Sequence, residues 1–399
     1  MNLWNGAAWT EVAELNTERQ YSGGAGAYTA ALAIGGDVDP PVTAVTEFWN
    51  GTTWTEIADL ATARRQNFGS GLSTAALASG GYTTTQVANT EEFTAPAVFS
   101  KKVEGQLYFN STTNTFKETL LDVPAGTWAA GGHLNTAKYQ LGTAGTQTAA
   151  LAFGGSSPPF TATNESYNGT AWSEEADLTA QRDGLGSAGT QTAALGFGGQ
   201  YPPVSGTYDL TEEWNGSSWA EKAELNSGRR FIQGTGNVNT AALCIGGYDG
   251  SNRAYVEDWN GSAWSEGTDI NTARAYIAGV GTPEAALAIS GASGTNVEQW
   301  NGSSWAEVAE YNTSRGQGAA SGTTSTAALF FGGEGPNKAN TEVWNGTSWT
   351  EIADLSLARS GLGGTGNTVA GFAIGGQVSP QAGTEEFTAP LANKTITAS

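Results

Sequence analysis

One sequence unit recurs eight times along the 399 residues, and this repetition constrains the fold more than any other feature. Each unit closes a short apolar run with a pair of small residues, and the pairs begin at Gly35, Gly80, Gly154, Gly198, Gly246, Ser290, Gly332 and Gly375. Successive starts lie 42 to 48 residues apart, except for one interval of 74. Such a period is typical of arrays in which each unit buries its apolar face against the next one.

The order of residues within a unit predicts four antiparallel strands. The first strand, residues 66–72 in the second unit, is rich in small residues, as expected where sheets converge on an axis. The second strand, residues 74–79, is a compact apolar run. The third carries a Glu two residues before an aromatic residue. An Asn-Gly pair then turns most units into the fourth strand, because both residues accept the positive φ of tight hairpins.

This unit resembles the kelch repeat. The glycine pair, the basic residue, the aromatic residue before the turn and a Trp in the last strand all match, the last being Trp9, Trp54, Trp128, Trp172, Trp219, Trp264, Trp305 and Trp349. The resemblance implies an all-β fold, an eight-bladed kelch-type β-propeller that spans residues 1–399 as one domain. The chain begins at the end of one unit and its eighth unit stops after the third strand. We therefore expect the N-terminal strand, near residues 9–15, to join the C-terminal blade and close the ring.

Two columns of opposite charge run through the repeat. A cation precedes the first strand at Arg19, Arg64, Lys138, Arg182, Arg229, Arg274, Arg315 and Arg359. A Glu precedes the third-strand aromatic at Glu47, Glu91, Glu165, Glu212, Glu257, Glu298, Glu342 and Glu385. We expect one structural ion pair for each blade, within it or to its neighbour, because partly buried charges need partners. A ring of cations that holds an anion near the axis is the alternative.

Composition excludes several classes of partner. A formal net charge of -21 argues against a nucleic-acid surface, which needs a basic face. The apolar runs are far shorter than the roughly 18 residues of a membrane helix, so we expect no membrane insertion. No basic segment followed by an apolar one marks a secretory signal at the N-terminus. The single cysteine, Cys244, lies in an apolar run and is expected to be a buried small hydrophobe.

Few residues break the repeat in a way that suggests catalysis. His133 is the only histidine, and no serine in a nucleophile-elbow context accompanies it. Residues 248–252 contain oxygen ligands but lack the rest of a calcium-binding loop. We therefore predict no enzymatic activity, no cofactor and no metal. Because a glycosidase needs only two suitably spaced carboxylates, a carbohydrate-active propeller enzyme stays open as an alternative.

The loops after the glycine pairs vary most between units and are expected to cluster on one face. They carry aromatic residues that suit stacking on sugars or anchoring protein contacts. The candidate ligand- or partner-binding residues there are Tyr82, Phe160, Tyr201, Tyr208, Tyr248, Arg253 and Tyr255.

The long interval contains an insert, residues 94–127, in which residues 105–117 have a hairpin pattern. Tyr108, Phe109 and Phe116 are candidate partner-binding residues, because an isolated hairpin cannot bury them. The insert and the C-terminal tail, residues 388–399, both follow a Phe-Thr-Ala-Pro segment. We expect both to leave the repeat side by side and to form a docking element.

The insert resembles short modules of tail-fibre and other virion proteins of tailed bacteriophages. The resemblance implies a non-enzymatic virion protein, either structural or binding: a tail appendage, a fibre or a capsid-associated protein, active in host attachment or assembly. Its expected partners are other virion proteins, with a host-surface glycan or receptor and further copies of the chain as additional candidates. Its expected location is the phage particle, otherwise the cytoplasm. A cellular kelch scaffold for protein interactions is the leading alternative.

Overall fold

The computed structural model describes residues 2–4, 8–38, 41–94, 107–110, 115–201, 206–291, 294–378 and 381–395. The chain divides into two compact units, Met1–Lys102 and Val103–Ser399. In the part of the chain that the structure describes, the regular structure is β-strand apart from one short 3₁₀ helix.

The first unit contains three antiparallel sheets. Its strands are β1 (Asn2–Trp4), β2 (Trp9–Glu11), β3 (Gly23–Ala27), β4 (Ala30–Asp37), β5 (Val42–Trp49), β6 (Trp54–Glu56), β7 (Phe68–Leu72), β8 (Ala75–Ser79) and β9 (Thr90–Thr94). They pair in the orders β1-β2, β3-β4-β5-β6 and β7-β8-β9. The β3-β4-β5-β6 order is the four-stranded unit that the repeat predicts.

The second unit opens with β10 (Leu107–Asn110), β11 (Thr115–Leu121), the 3₁₀ helix η1 (Val123–Ala125) and β12 (Thr127–Ala130). The strands that follow are β13 (Gly142–Thr146), β14 (Ala149–Phe153), β15 (Asn164–Tyr167), β16 (Trp172–Glu175), β17 (Gly186–Thr190), β18 (Ala193–Phe197), β19 (Gln200–Tyr201), β20 (Gly206–Thr207), β21 (Thr211–Trp214), β22 (Trp219–Glu221), β23 (Gln233–Val238), β24 (Ala241–Ile245), β25 (Val256–Trp259) and β26 (Trp264–Glu266). The last twelve are β27 (Ala278–Thr282), β28 (Ala285–Ile289), β29 (Val297–Trp300), β30 (Trp305–Glu307), β31 (Ala319–Thr324), β32 (Ala327–Phe331), β33 (Thr341–Trp344), β34 (Trp349–Ile352), β35 (Gly363–Gly366), β36 (Ala370–Ile374), β37 (Thr384–Thr388) and β38 (Leu391–Thr395).

Six four-stranded antiparallel sheets make up most of the second unit. Their orders are β13-β14-β15-β16, β17-β18-β21-β22, β23-β24-β25-β26, β27-β28-β29-β30, β31-β32-β33-β34 and β12-β37-β36-β35. Each innermost strand contacts the innermost strand of the next sheet, and β35 contacts β13 again. The six sheets therefore follow one another around an axis, a β-propeller-like architecture.

Small residues line the axis because neighbouring backbones approach closely there. A Cβ added to Gly234 of β23 would lie 2.0 Å from the carbonyl oxygen of Ser187. One added to Gly364 of β35 would lie 2.5 Å from the carbonyl oxygen of Ala320. Both distances are too short for a side chain, so the glycine-rich composition of the first strands follows from the packing at the axis.

Neighbouring sheets pack through one recurrent pair of faces. Leu195 and Phe197 of β18 form one cluster with Ala242 and Cys244 of β24 and Trp264 of β26. Cys244 is completely buried there, which confirms its predicted role as a small hydrophobe. The large residues of one sheet thus fill the space above the small residues of the next.

The strand that completes the last sheet is β12, in register Trp128 to Phe387 and Ala130 to Glu385. The N-terminal β2 pairs instead with β1. The prediction that the N-terminal strand closes the ring is therefore wrong, because β12 already occupies the edge of β37. The cyclic contacts of residues 103–399 involve six sheets rather than eight, so the single ring predicted for residues 1–399 also differs from the structure.

The insert and the C-terminal tail lie side by side, as expected from their shared Phe-Thr-Ala-Pro segment. Strands β10 and β11 form a hairpin, and β38 pairs with β11 in register Leu121 to Leu391. Leu121 and Val123 pack against the core cluster around Phe387. The side chains of Tyr108, Phe109 and Phe116 lie outside the described residues. Their predicted role in docking stays a prediction.

Candidate binding site

Six residues with left-handed backbone conformation surround the axis at the start of the innermost strands of residues 103–399. Their φ angles are 51° to 61°, and the residues are Gln140, Gly184, Phe231, Tyr276, Gln317 and Gly361. Backbone hydrogen bonds join them from sheet to sheet: Gly184 N–H donates to the Gln140 carbonyl at 2.9 Å, and Phe231 N–H donates to the Gly184 carbonyl at 2.7 Å. The resulting chain of peptide groups forms a mouth at one end of the axis.

The left-handed backbone at this mouth is a feature of the repeat, because Tyr21 and Gln66 of the other unit adopt it at the equivalent position. A non-glycine residue in the left-handed region costs about 1 kcal/mol or more and persists where surrounding contacts fix it. Here the contact is the bond to the neighbouring sheet: Tyr276 N–H donates to the Phe231 carbonyl at 2.8 Å. Glycine would adopt this conformation without strain, but four of the six positions carry larger side chains.

The side chains around the mouth differ from sheet to sheet. Phe231 and Tyr276 stack, with ring centroids 4.1 Å apart and planes 17° from parallel. Gln140 and Gln317 flank Gly361, where an added Cβ would lie 3.4 Å from Gln140 Cγ and 3.8 Å from Gln317 Oε1. That Gln317 oxygen is buried and accepts no hydrogen bond. The mouth therefore combines an aromatic platform with amide groups.

A polar relay lies beside the aromatic platform. The Arg230 guanidinium donates from Nη1 to Gln200 Oε1 and lies 5.0 Å from the Phe231 ring centroid and 5.3 Å from that of Tyr248. The Gln200 side chain in turn hydrogen bonds to the carboxylate of Asp183. Asp183 is 2% exposed, and its Oδ1 has no hydrogen-bond partner. A buried acceptor without a partner is unfavourable unless a ligand or water satisfies it.

Burial controls the ionisation of this cluster. It raises the pKa of Asp183 to about 6, against the opposing effects of the Gln200 hydrogen bond and the Arg230 charge. It also raises the pKa of the Tyr276 phenol to about 12, with Glu334 and Asp183 adding to the increase. Strongly perturbed groups that gather at one place mark candidate functional sites.

Asp183→Asn is expected to remove a pH dependence of stability. The folded state keeps the Asp183 proton up to about pH 6, whereas an exposed aspartate loses it near pH 4. The contribution of the protonated Asp183 to the free energy of unfolding is thus fully present below about pH 4 and is lost as the pH rises through 6. Thermal unfolding at pH 8 should show the variant more stable by up to about 3 kcal/mol. The gain should vanish near pH 3.5; an equal gain at both pH values would contradict this explanation. Asp209→Asn, at an exposed position of the same unit, is the control.

The channel behind the mouth is too small for an organic ligand. Its volume between the six innermost strands is about 80 Å³, smaller than the roughly 150 Å³ of a cavity that holds one benzene molecule. Hydroxyl groups there bond to the next sheet: Ser187 Oγ donates to the Thr143 carbonyl at 2.9 Å, and Ser321 Oγ donates to the Thr365 carbonyl at 2.6 Å. A ligand of this site must therefore bind at the mouth.

The aromatic residues predicted for binding occupy several places. Tyr248 belongs to the mouth, beneath Arg230. Tyr201 and Tyr208 pack together 4.3 Å apart. Arg253 covers Tyr255 and forms an ion pair with Asp249 at 2.7 Å. Phe160 forms a β-bridge with Ser156, and Tyr82 lies in the other unit beneath Arg65. Of these predicted residues, Tyr248 contacts the polar relay through the Arg230 guanidinium.

The predicted ion pairs are present at all eight positions, each within a single sheet. Arg182 Nη1 lies 2.5 Å from Glu212 Oε1, with both side chains fully buried. The other Glu212 oxygen accepts the Thr179 N–H at 2.7 Å, and Arg182 Nη2 donates to the Gly196 carbonyl. The columns therefore hold the turn before the first strand against the third strand, rather than presenting cations to an anion at the axis.

Sequence reasoning missed Asp183, Arg230, Phe231, Tyr276 and Gln317. They occupy the first and second positions after the repeated cation, next to residues identified as structural. A signal was present, because the second position holds Tyr, Gln, Gly or Phe in different units. Variation at one position of an otherwise regular repeat indicates a side chain that the fold does not need.

Within the described ranges, no three His, Cys, Asp or Glu side chains gather as a metal site would require. The same residues contain no helix of the length and apolarity that a membrane span requires.

Comparison with known proteins supports the architecture alone. No protein-family model matches the sequence, and no curated protein does. Among solved structures, that of YjhT is similar, with a TM-score of 0.53 and 15% identity, over 66% of this chain and 99% of that one. At this identity the likeness shows a shared fold.

Proposed function

We propose that this protein is a non-enzymatic, kelch-type binding module of a tailed-bacteriophage virion. It binds a hydroxyl-rich ligand, a glycan of a host surface, at the mouth formed by residues 103–399. The observation that carries the proposal is the stacked, half-buried pair of Phe231 and Tyr276 beside the Arg230 guanidinium. A sugar supplies an apolar ring face for the aromatic side chains and hydroxyl groups for the polar side chains around them.

The virion location rests on the insert and on the partner surfaces it implies. The insert hairpin and the tail strand β38 form a three-stranded sheet outside the repeat. Leu121 and Val123 anchor this added element on the core, and its hairpin serves docking to other virion proteins. A cellular interaction scaffold would use the same loop face to bind protein partners. The virion module and the cellular scaffold therefore differ in the class of ligand and in their location.

Glycan-array binding of the intact chain, with mass spectrometry of purified phage particles, tests the proposal. The native protein should bind a defined glycan subset and should co-purify with particles. Arg230→Ala should weaken glycan binding about 10- to 100-fold, because it removes a charge-assisted bond and disconnects Gln200 from its donor. Lys222→Ala is the matched control: Lys222 is another partly exposed cation, paired with Glu213, that lies just after the outer strand β22.

If Lys222→Ala weakened glycan binding as much as Arg230→Ala does, the binding site would not lie at the mouth. An absence of glycan binding would contradict the proposal as well.

A second candidate function, glycoside hydrolysis, is favoured by one observation: Asp183 and Glu334 both act electrostatically on Tyr276. Two carboxylates flanking a bound sugar are the usual machinery of that reaction. If the protein hydrolyses the glycans that it binds, and Glu334→Gln abolishes this hydrolysis, the function is catalysis rather than binding.

A further inference from the structure

The third strand of the β7-β8-β9 sheet has the same sequence as the third strand of the sheet that β12 completes. Both read Thr-Glu-Glu-Phe-Thr, at Thr90–Thr94 in β9 and at Thr384–Thr388 in β37. Strand β12 pairs with the outer edge of β37, whereas no strand of the described residues pairs with the outer edge of β9. An edge strand presents unpaired N–H and C=O groups to an extended segment that can align with it. The two edges therefore offer the same backbone template, and the edge of β37 shows which strand it takes.

The strand on β37 carries a tryptophan followed by two small residues. In β12, which reads Thr-Trp-Ala-Ala, Trp128 lies opposite Phe387 and the two alanines lie opposite the two glutamates of β37. The Trp128 ring contacts Phe331 of the preceding sheet, and its Nε1 donates to Thr341 Oγ1 at 3.0 Å. The indole thus joins two sheets, and the small residues let the strand lie flat along the edge.

An open cavity of about 260 Å³ lies beside β9, in the place that Trp128 takes beside β37. Its lining residues correspond one by one to the residues around Trp128: Ile34 to Phe331, Thr46 to Thr341, Leu60 to Leu355, Ala78 to Ala373 and Phe93 to Phe387. The hydroxyl that would accept an indole N–H is held in the same way in both places. Thr46 N–H donates to Asp59 Oδ1 at 3.1 Å, and Thr341 N–H donates to Asp354 Oδ1 at 3.1 Å.

The walls of this cavity are more exposed than their counterparts. Phe93 is partly exposed, whereas Phe387 is fully buried beneath Trp128. The Glu91 side chain, which pairs with its cation like every Glu of this column, is 25% exposed, against 5% for Glu385. A strand on β9 would therefore remove an aromatic ring and an ion pair from water, as β12 does on β37.

We infer that the outer edge of β9 is a binding site for a β-strand that carries a tryptophan followed by two small residues. The strand lies antiparallel to β9, with its tryptophan opposite Phe93 and its small residues opposite Glu92 and Glu91. The indole fills the cavity and donates to Thr46 Oγ1. In strand addition of this kind, main-chain hydrogen bonds supply affinity and the side-chain pocket supplies specificity.

The tryptophan-bearing strands of the described residues already have partners. Strand β12 belongs to β37, so its transfer to β9 of another copy would open one edge in order to fill another. Strand β2 pairs with β1 in register Trp4 to Trp9, which is the register of third and fourth strands elsewhere, such as Trp49 to Trp54. The partner of this site is therefore a further strand with the pattern of β12.

A fluorescent peptide of residues 124–133, which contains the β12 pattern, tests the site by fluorescence anisotropy with the full chain. The peptide should bind saturably, and its Trp128→Ala version should bind about 30-fold more weakly, as expected for an indole buried in an interface. Thr46→Val in the chain should weaken binding about fivefold, because it removes the acceptor of the indole N–H and keeps the side-chain shape. Phe68→Ser is the matched control: Phe68 is an exposed aromatic residue of β7 in the same sheet, and its change should leave binding unchanged.

Hydrogen exchange resolved to peptides shows which edge the strand joins. Added peptide should protect amides of Thr90–Thr94 and leave those of Thr384–Thr388 as they were. The inference is wrong if no saturable binding occurs, if the Trp128→Ala peptide binds equally well, or if only Thr384–Thr388 gains protection. Self-association of the chain that Trp128→Ala abolishes would also overturn it, because the occupant would then be β12 of a second copy. The site is separate from the proposed glycan site, since Arg230→Ala should lose glycan binding and keep peptide binding.

Discussion

Arg182→Met is expected to lower the free energy of unfolding by about 3–5 kcal/mol, the largest effect of any single change considered for this protein. The substitution leaves the fully buried Glu212 carboxylate without its cation. A buried charge without a partner is strongly unfavourable, because the protein interior solvates it far less well than water. Burial also lowers the pKa of Arg182 despite the nearby carboxylate, so the pair itself is costly to bury and depends on its geometry.

Urea unfolding followed by tryptophan fluorescence measures the loss. The double variant Arg182→Met with Glu212→Leu should recover much of it, since two apolar side chains leave no buried charge. Recovery should stay incomplete, because Glu212 also accepts the Thr179 N–H and Arg182 also donates to the Gly196 carbonyl. Lys222→Met provides the control, since its ion pair with Glu213 is partly exposed and should contribute less than about 1 kcal/mol. Similar losses for the buried and the exposed cation would contradict the argument.

Trp128→Ala is expected to cost about 3 kcal/mol and to open the ring of residues 103–399. The Trp128 ring lies 4.9 Å from Phe331 and 5.3 Å from Phe387, and its Nε1 donates to Thr341 Oγ1 at 3.0 Å. It thereby joins the sheet that β12 completes to the preceding sheet. No tight turn connects β12 to its partner β37, so the strand depends on its backbone pairing with β37 and on the packing of Trp128.

Hydrogen exchange resolved to peptides distinguishes ring opening from general destabilisation. In Trp128→Ala, amides of Thr384–Thr388 should lose protection before the remaining sheets do. Trp219→Ala is the matched variant: Trp219 occupies the same place in its sheet, and Trp214 and Trp219 flank a hairpin turn. We expect a comparable cost but retained protection of β22, since the turn keeps it beside β21. Equal loss of protection at both edges would contradict a special role for β12 in closure.

The repeat alone predicted much of the local structure. The eight cation–Glu pairs, the small residues of the innermost strands and the burial of Cys244 all follow from rules that act within one sheet or between neighbours. The Asn-Gly turns are of the same kind: Asn168 Oδ1 accepts the N–H groups of Thr170 and Ala171, and Gly169 takes a φ of 90°. Each of these interactions spans residues whose spacing the sequence repeats.

Apart from Tyr248, the residues of the candidate site were not predicted, because the site depends on residues that the repeat brings together from different units. Asp183, Arg230 and Tyr276 stand 47 and 46 residues apart in the sequence. They meet because successive innermost strands start at the same end of one axis. Their types vary from unit to unit, so no periodic rule marks them.

The sequence by itself determined the strands, the turns and the ion pair of each sheet. Strand period, turn chemistry and the pairing of buried charges are local requirements, and all eight units meet them in the same way. Tertiary structure decided how many sheets close and which strand completes the last of them. Glu-Glu-Phe-Thr occurs identically in β9 and β37, so the sequence offers two equivalent edges for the single strand β12. Packing selects β37, because there Trp128 also reaches Phe331 and Thr341 of the adjoining sheet. A choice between identical edges rests on contacts outside the paired strands, and only the folded chain contains them.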